Sequence, residues 1–433
     1  MEYDLIIIGG GAAGFFAAIH IAELDPSKNI AILERGKEVL TKVKISGGGR
    51  CNVTHAEFDP KELVKNYPRG EKELRGPFHN FCSGDTIAFF EERGIELKIE
   101  EDGRMFPTTD SSQTIIDCFL SETKRLGVEV LKNHAVKDIV KNDTKWVLNT
   151  NRGDFRSKKL LVASGSNPKV WQMMASLGHS IVSPVPSLFT FNIKDQRITG
   201  LMGLSAPAEV QLLDRSGAPL MEGLPAGKAG MSARADRGGS EGPLLITHWG
   251  MSGPAILKLS AWGARALNQC NYQFMIEVNW LKDISTIEVT TLLERIKKEH
   301  AKKRIFKLHP FDLPKRLWQK IMEASNIDQE LRWADISKKQ LNDLVVQLTA
   351  ARFYVNGKST FKEEFVTAGG VELKEVDFKT YESKLHKNLY FAGEVLNIDA
   401  VTGGFNFQNA WTGAYIAAKA ISEDHHENIH SIT

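Results

Sequence analysis

Asp4–Leu5–Ile6–Ile7–Ile8–Gly9–Gly10–Gly11–Ala12–Ala13–Gly14 is the stretch whose reading decides the fold. Its apolar run is short and ends in glycine, which predicts a buried strand. An amphipathic stretch to about Leu24 predicts a helix, and Ile30–Ala31–Ile32–Leu33 predicts a second strand that ends in Glu34. Gly9, Gly11 and Gly14 match G-x-G-x-x-G, and Glu34 stands twenty residues past Gly14, where that fingerprint requires an acid. Gly9 allows the tight turn out of the strand. Gly11, lacking a Cβ, lets a pyrophosphate approach the backbone, and Gly14 lets helix and strand pack closely. The helix that follows directs unpaired N–H groups and its positive dipole end at that pyrophosphate. Glu34 would accept hydrogen bonds from an adenosine ribose and repel a 2′-phosphate. A strand, helix, second strand and acid in this register predict dinucleotide binding, as FAD or NAD.

Outward from this unit, residues 44–52 read as a loop, and 84–93 and 111–126 as helices. Residues 128–131 form a short strand, and 136–140 with 145–150 an antiparallel excursion turned at Asn142–Asp143. Leu160–Ala163 is a buried strand that stops at Ser164–Gly165. Pro184–Val185–Pro186 marks a domain exit. From 188 to 281 short β-rich runs alternate with turns, a helix lies near 254–267, and the Gly/Ser/Ala-rich Ala226–Gly242 is expected to be a mobile loop. Residues 282–346 carry helical patterns, including 286–298 and 313–324. A β-rich return precedes Leu389–Ala392, which enters Gly393–Glu394, and a last helix runs from about Phe407 to Ile421. The class is α/β, with a discontinuous nucleotide domain whose last strand and helix complete the first sheet.

Three further segments favour FAD over NAD. Ser46–Gly47–Gly48–Gly49 offers successive N–H groups as a nest for phosphate oxygens, with Arg50 adding positive charge. Ala163–Ser164–Gly165 ends a strand at the carboxyl edge of the sheet, where ligands of open α/β sheets lie. Gly393–Glu394 ends another strand, and Thr402–Gly403–Gly404 opens the last helix, whose N-terminus suits a reduced flavin's negative pyrimidine end. Glu394 would hydrogen-bond a ribityl or ribose hydroxyl.

These blocks resemble a bacterial flavoprotein family, the BaiN-like NAD(P)/FAD-dependent oxidoreductases. The resemblance rests on Gly9–Gly14 with Glu34–Arg35, on KISGGGRCN over Lys44–Asn52, and on Gly103–Arg104–Met105–Phe106–Pro107. Thr247–His248–Trp249–Gly250–Met251–Ser252–Gly253–Pro254 and Gly393–Glu394 with Thr402–Gln408 complete it, so it spans residue 4 to about 418. It implies a Rossmann-like FAD-binding domain from 1–187 and 366–433. A β-barrel-like domain from 188–281 and 347–365 is inserted in it, and a helical domain, 282–346, is inserted in the barrel. It also implies FAD contacts at Gly11, Ala12, Ala13, Glu34, Arg35, Ser46 through Asn52 with Cys51 among them, Val136, Gly165, Glu394, and the Gly404–Phe405–Asn406 turn. Val136 would offer its backbone to adenine. Serine stands at 164 where many such flavoproteins carry threonine, and it keeps the hydroxyl.

The chemistry expected is hydride transfer through flavin N5 to a small organic molecule. No second G-x-G-x-x-G follows a strand, so NADH or NADPH would bind transiently as electron donor. His248, in a Gly/Pro-rich turn, is the candidate acid or base, against a structural role bonded to nearby backbone. Cys51 reads as a packed thiol. Arg104 could bind a substrate carboxylate; Arg50 is assigned to the pyrophosphate. His425, His426 and His430 crowd the tail, and no metal site is expected there. The four cysteines are scattered, which argues for reduced thiols, a cytoplasmic setting and no zinc cluster. No basic leader precedes the first strand, and no apolar window nears the ~20 residues that span a bilayer. Net charge is +2, which gives no global argument for nucleic acid. Residues 282–346 do carry 14 Lys/Arg against 10 Asp/Glu, including the basic run at 297–304. The preferred reading of that run is a solvated helix face; the alternative is an RNA-modifying flavoprotein that uses it.

Overall fold

The computed structural model describes residues 1–142, 144–220, 239–282, 284–359 and 366–423. The chain divides into two compact units, Met1–Val185 with Lys362–Thr433, and Pro186–Phe361. The division falls inside the expected Pro184–Pro186 exit, although those residues continue a strand, Ile181–Ser187.

In the first unit the opening strand, Glu2–Ile8, pairs in parallel with Ile30–Leu33 on one side and with Gly153–Val162 on the other. Glu129–Leu131 extends the sheet beyond Ile30–Leu33, and Leu389–Phe391 extends it beyond Gly153–Val162, both in parallel. Burial on both faces accounts for the unbroken apolar runs. The strand from the far end of the sequence thus lies two places from the first. Val136–Asn142 and Lys145–Thr150 form the expected antiparallel excursion; Asp143 of its turn lies outside the described residues. Helix Ala12–Leu24 packs on the last helix, Phe405–Glu423, with Phe16 and Trp411 rings 5.1 Å apart. Between residues 54 and 107 a small antiparallel sheet, absent from the sequence reading, joins Thr54–His55, Arg104–Pro107 and Leu97–Ile99.

The second unit holds a seven-stranded antiparallel sheet. Its order is Ala351–Asn356, Gln273–Asn279, Ser205–Leu213, Gly239–Ile246, Gly250–Ser252, Thr190–Asn192 and Lys358–Ser359. The first and last of these flank Gly357, whose N–H donates to Tyr272 O and whose carbonyl accepts from Asn192 N. Chain continuity through one glycine therefore closes the sheet into a barrel. Residues 226–238 of the expected mobile loop lie outside the described residues, but Gly239–Gly242 is not loop: it is strand, paired with Ala208–Gln211. Helices Thr286–Glu299, Lys315–Ala324 and Lys338–Thr349 fill the helical segment. One apolar cluster runs from barrel residues such as Phe191 and Phe274 into Trp318, Trp333 and Leu344, so these helices share the barrel's core.

Candidate functional site

The three fingerprint glycines do separate work. Gly9 has φ +114°, and a Cβ there would meet Ala163 O at 2.4 Å. A Cβ on Gly14 would lie 2.1 Å from Gly9 O, so helix and turn are in backbone contact. A Cβ on Gly11 would meet nothing within 4 Å. It occupies the N-cap of the Ala12–Leu24 helix, with no side chain capping it and no acid in the first turn. The end of that helix is open space bordered by unpaired N–H groups, which suits a phosphate.

Glu34 is held in place: Oε2 accepts from Gly10 N at 2.9 Å and Oε1 from Gly36 N at 2.7 Å. The chain leading to Val136 runs alongside, since Asn133 N donates to Gly36 O and His134 N to Glu34 O. Arg35 is exposed. Gly47, Gly48 and Gly49 all have positive φ, at 59°, 70° and 88°. They follow directly from a helical turn that begins at Thr41, rather than sitting in a long loop. Gly48 has open space where a Cβ would stand, while Gly47 packs on Phe106. Successive positive-φ glycines give this turn the backbone form that can cup an anion.

Arg50 is engaged by acids from a distant part of the sequence. Its guanidinium donates to Glu100 at 2.6 Å and to Asp110 at 3.4 Å, and lies 3.9 Å over the Phe106 ring. The Glu100 hydrogen bond raises its pKa further. Two carboxylates partner its charge, and these contacts brace the loop that carries it. Arg104 is engaged likewise by Glu100 and Asp102. Cys51 is fully buried, and desolvation pushes its thiol up to about 12.

The segments from the far end of the sequence close on this region. A Cβ on Gly393 would meet the Ala13 methyl at 3.2 Å. Gly165, with φ +60°, lies beside the Glu394 carboxylate. Glu394 accepts from Lys42 Nζ and from Thr367 N, two partners that no sequence spacing signals. With its amide turned to satisfy both ends, Asn52 accepts from Gly404 N and donates to Thr54 O. Asn406 binds the Ala400 backbone through both of its amide atoms. Behind the Phe405 turn, Gln408 accepts from Thr54 and Thr86 hydroxyls at 2.6 and 2.9 Å and donates to Thr412 at 3.1 Å, all buried. The Gly11 space, the nest, Glu34, and the Gly165 and Gly393 turns thus lie in one unit, and they fit an adenine dinucleotide whose far end is a flavin.

His248 lies in the other unit, exposed on a turn whose backbone is held by Thr247 Oγ1. No hydrogen bond of its ring is found among the described residues. His425, His426 and His430 lie outside them. A hydrogen-bonded line Ser383–His179–Glu375, at 3.1 and 2.9 Å, has the order of a nucleophilic triad. Ser383 is 6% exposed and accepts from the Leu385 and His386 amides, so it is a structural lock. Among the described residues no helix is long and apolar enough to cross a membrane.

The family model described as "HI0933-like protein Rossmann domain" matches residues 3–420. A ribosomal RNA dihydrouridine synthase of Haemophilus influenzae is 30% identical over 96% of this chain and 98% of its own length. A 3-dehydro-bile acid delta(4,6)-reductase of Clostridium scindens is 26% identical over the same shares. The structure of a 3-ketosteroid-delta4-(5alpha)-dehydrogenase from Rhodococcus jostii covers 98% of this chain and 97% of its own at TM-score 0.52 and 11% identity, a likeness of fold.

Proposed function

From a chain that belongs to the HI0933-like Rossmann family and is an FAD-dependent oxidoreductase, we propose a reductase of carbon–carbon double bonds conjugated to a carbonyl group. The observation that carries this reading is what two full-length relatives have in common. Making dihydrouridine saturates the uracil C5=C6 bond beside the C4 carbonyl, and a delta(4,6)-reductase saturates bonds conjugated to a 3-ketone. Both chemistries add a hydride to an electron-poor carbon conjugated with the carbonyl, β in uracil and in the 4-ene and δ across the 6,7 bond, and a proton completes the saturation.

The chemistry FAD supplies when bound is hydride acceptance and release at flavin N5. The residues proposed to hold it are the open helix end at Gly11, Ala12 and Ala13, the Ser46–Gly49 nest, Glu34 toward the ribose, Val136 toward adenine, and the Gly165, Glu394 and Gly404–Asn406 turns. NADH or NADPH is the proposed reductant, oxidised to NAD⁺ or NADP⁺, without a dinucleotide domain of its own. His248 is assigned proton delivery at the α carbon.

The preferred substrate is a uracil in RNA. Besides the 30% relative, the geometry of the basic run favours it. Ile305 N donates to Leu331 O and Trp333 N to Lys303 O, which sets exposed Lys302, Lys303 and Arg304 beside Arg332. A small unsaturated ketone is the second reading, supported by the bile acid reductase. The test is mass spectrometry of nucleosides from ribosomal RNA of cells lacking the gene and of cells re-expressing it. It is paired with anaerobic NADPH oxidation by the purified protein with androst-4-ene-3,17-dione. Dihydrouridine that disappears and returns with the gene supports the RNA reading, and steroid-dependent oxidation supports the ketone. Neither response would end the proposal.

A further inference from the structure

Two consecutive glycines, Gly403 and Gly404, lead into the last helix with φ +137° and +93°. Neither carries a side chain to fix its backbone, and such a pair ordinarily turns freely. Here the peptide that joins them is gripped at both edges. His55 Nδ1 lies 3.1 Å from Gly403 O, and because a carbonyl can only accept, Nδ1 bears the proton and donates. On the opposite edge Gly404 N donates to Asn52 Oδ1 at 2.9 Å. The imidazole has little latitude of its own. Its ring lies on Phe405, with centroids 4.5 Å apart and planes 32° from parallel, and a Cβ on Gly103 would meet Nε2 at 2.6 Å. The strand that carries it is tied to the same helix: Trp411 Nε1 donates to Val53 O at 2.9 Å, and Thr54 Oγ1 to Gln408 Oε1 at 2.6 Å. Beyond the gripped peptide, Phe405 N, Asn406 N and Phe407 N donate to no group among the described residues. Two side chains three positions apart thus fix one peptide plane, and with it the direction of three open N–H groups. All of these residues belong to the first unit.

We infer that His55 is a positioning residue for the flavin: with Asn52 it clamps the Gly403–Gly404 peptide, so that the open N–H groups of the last helix stay aimed at the ring's pyrimidine end. This rests on the proposed assignment of the Gly404–Asn406 turn to FAD. Reduction adds negative charge at that end of the ring, so aimed N–H groups and the helix's positive end hold reduced flavin more tightly than oxidised flavin. The difference is read as the flavin's midpoint potential, which a histidine that only braced the fold would leave unchanged. The test uses the full chain loaded with FAD, titrated anaerobically at pH 8 against a dye of known potential. His55→Phe keeps a ring against Phe405 but lacks the donor. Its reduced flavin should be held about ten-fold less tightly relative to the oxidised form, a fall of about 30 mV for two electrons. His55→Asn sets an amide N–H near the place of Nδ1 and should return the potential to the wild-type value. A Phe variant that takes up no flavin, beside an Asn variant at the wild-type potential, supports the clamp equally. Wild-type potential in His55→Phe, or an equal fall or loss of flavin in both variants, would overturn the clamp and leave the FAD assignment standing. Wild-type protein that takes up no FAD would overturn both.

Discussion

Gly11 and Gly14 stand three residues apart and respond to an added side chain in opposite ways. Gly14→Ala forces a methyl to within 2.1 Å of Gly9 O, and thermal or urea unfolding should show a loss of roughly 1–3 kcal/mol. Gly11→Val projects into space free of protein atoms. It should leave unfolding of the flavin-free chain within about 1 kcal/mol of wild type and yield colourless protein; a variant that keeps its full flavin absorbance would refute the phosphate site. Cys51, buried with its thiol pushed up to about 12, should resist iodoacetamide at pH 8 until the chain is unfolded. Cys82 and Cys270, both partly exposed, should be alkylated first. Peptide mass spectrometry decides between these outcomes. The glycine spacing and Glu34 were legible in sequence because their jobs are local. The pairing of Arg50 was not, since its acids stand 50 and 60 residues away and only the fold brings them near.

Among the elements, the packing of the first helix on the last sets a pH limit. His20 lies among Phe16, Phe89 and Tyr415 rings with its Nε2 unpartnered, and burial lowers its pKa from 6.5 to about 3. The unfolded chain therefore binds a proton between pH 6.5 and 3 that the folded chain refuses. From this site stability is unaffected above pH 6.5 and falls as pH drops through that window, by up to about 1.4 kcal/mol per unit. His20→Phe should flatten that slope in urea titrations at pH 4 to 7; an unchanged slope would assign it elsewhere. Gln408→Ala removes the shorter acceptor of two buried threonine hydroxyls, leaving them only longer contacts to Ser83 Oγ and Cys82 O, and should cost about 1–3 kcal/mol in denaturant unfolding. Sequence pattern found the long apolar strands and the amphipathic helices, such as Thr286–Glu299, which the structure shows capped by Ser285 and Glu288. It missed Thr54–His55 and Leu97–Ile99, which are too short to show a period. It also read Gly239–Gly242 as loop, because glycine and serine pack as strand only when a partner such as Ala208–Gln211 is supplied from outside.

For the whole molecule, a ligand bound by the folded state alone shifts its unfolding equilibrium. FAD added at 100 times its Kd to flavin-free protein should add about 2.7 kcal/mol, seen as a rise in melting temperature that Gly11→Val abolishes. The discontinuity of the first unit was readable from the α/β character of both chain ends. The barrel was expected through the family resemblance alone; no residue pattern signals its closure, which depends on Gly357 joining two strands that pair with different neighbours. The placement of Leu389–Phe391 beside Gly153–Val162, and of Gly393 against Ala13, has a consequence for biosynthesis. Residues 9–14 leave the ribosome and wait for residues 389–393 before their pocket has a second wall. A chain stalled or clipped before residue 390 keeps the whole glycine fingerprint yet has nothing to shut against it. Pigment in the finished protein is therefore a visible report that synthesis ran past residue 390.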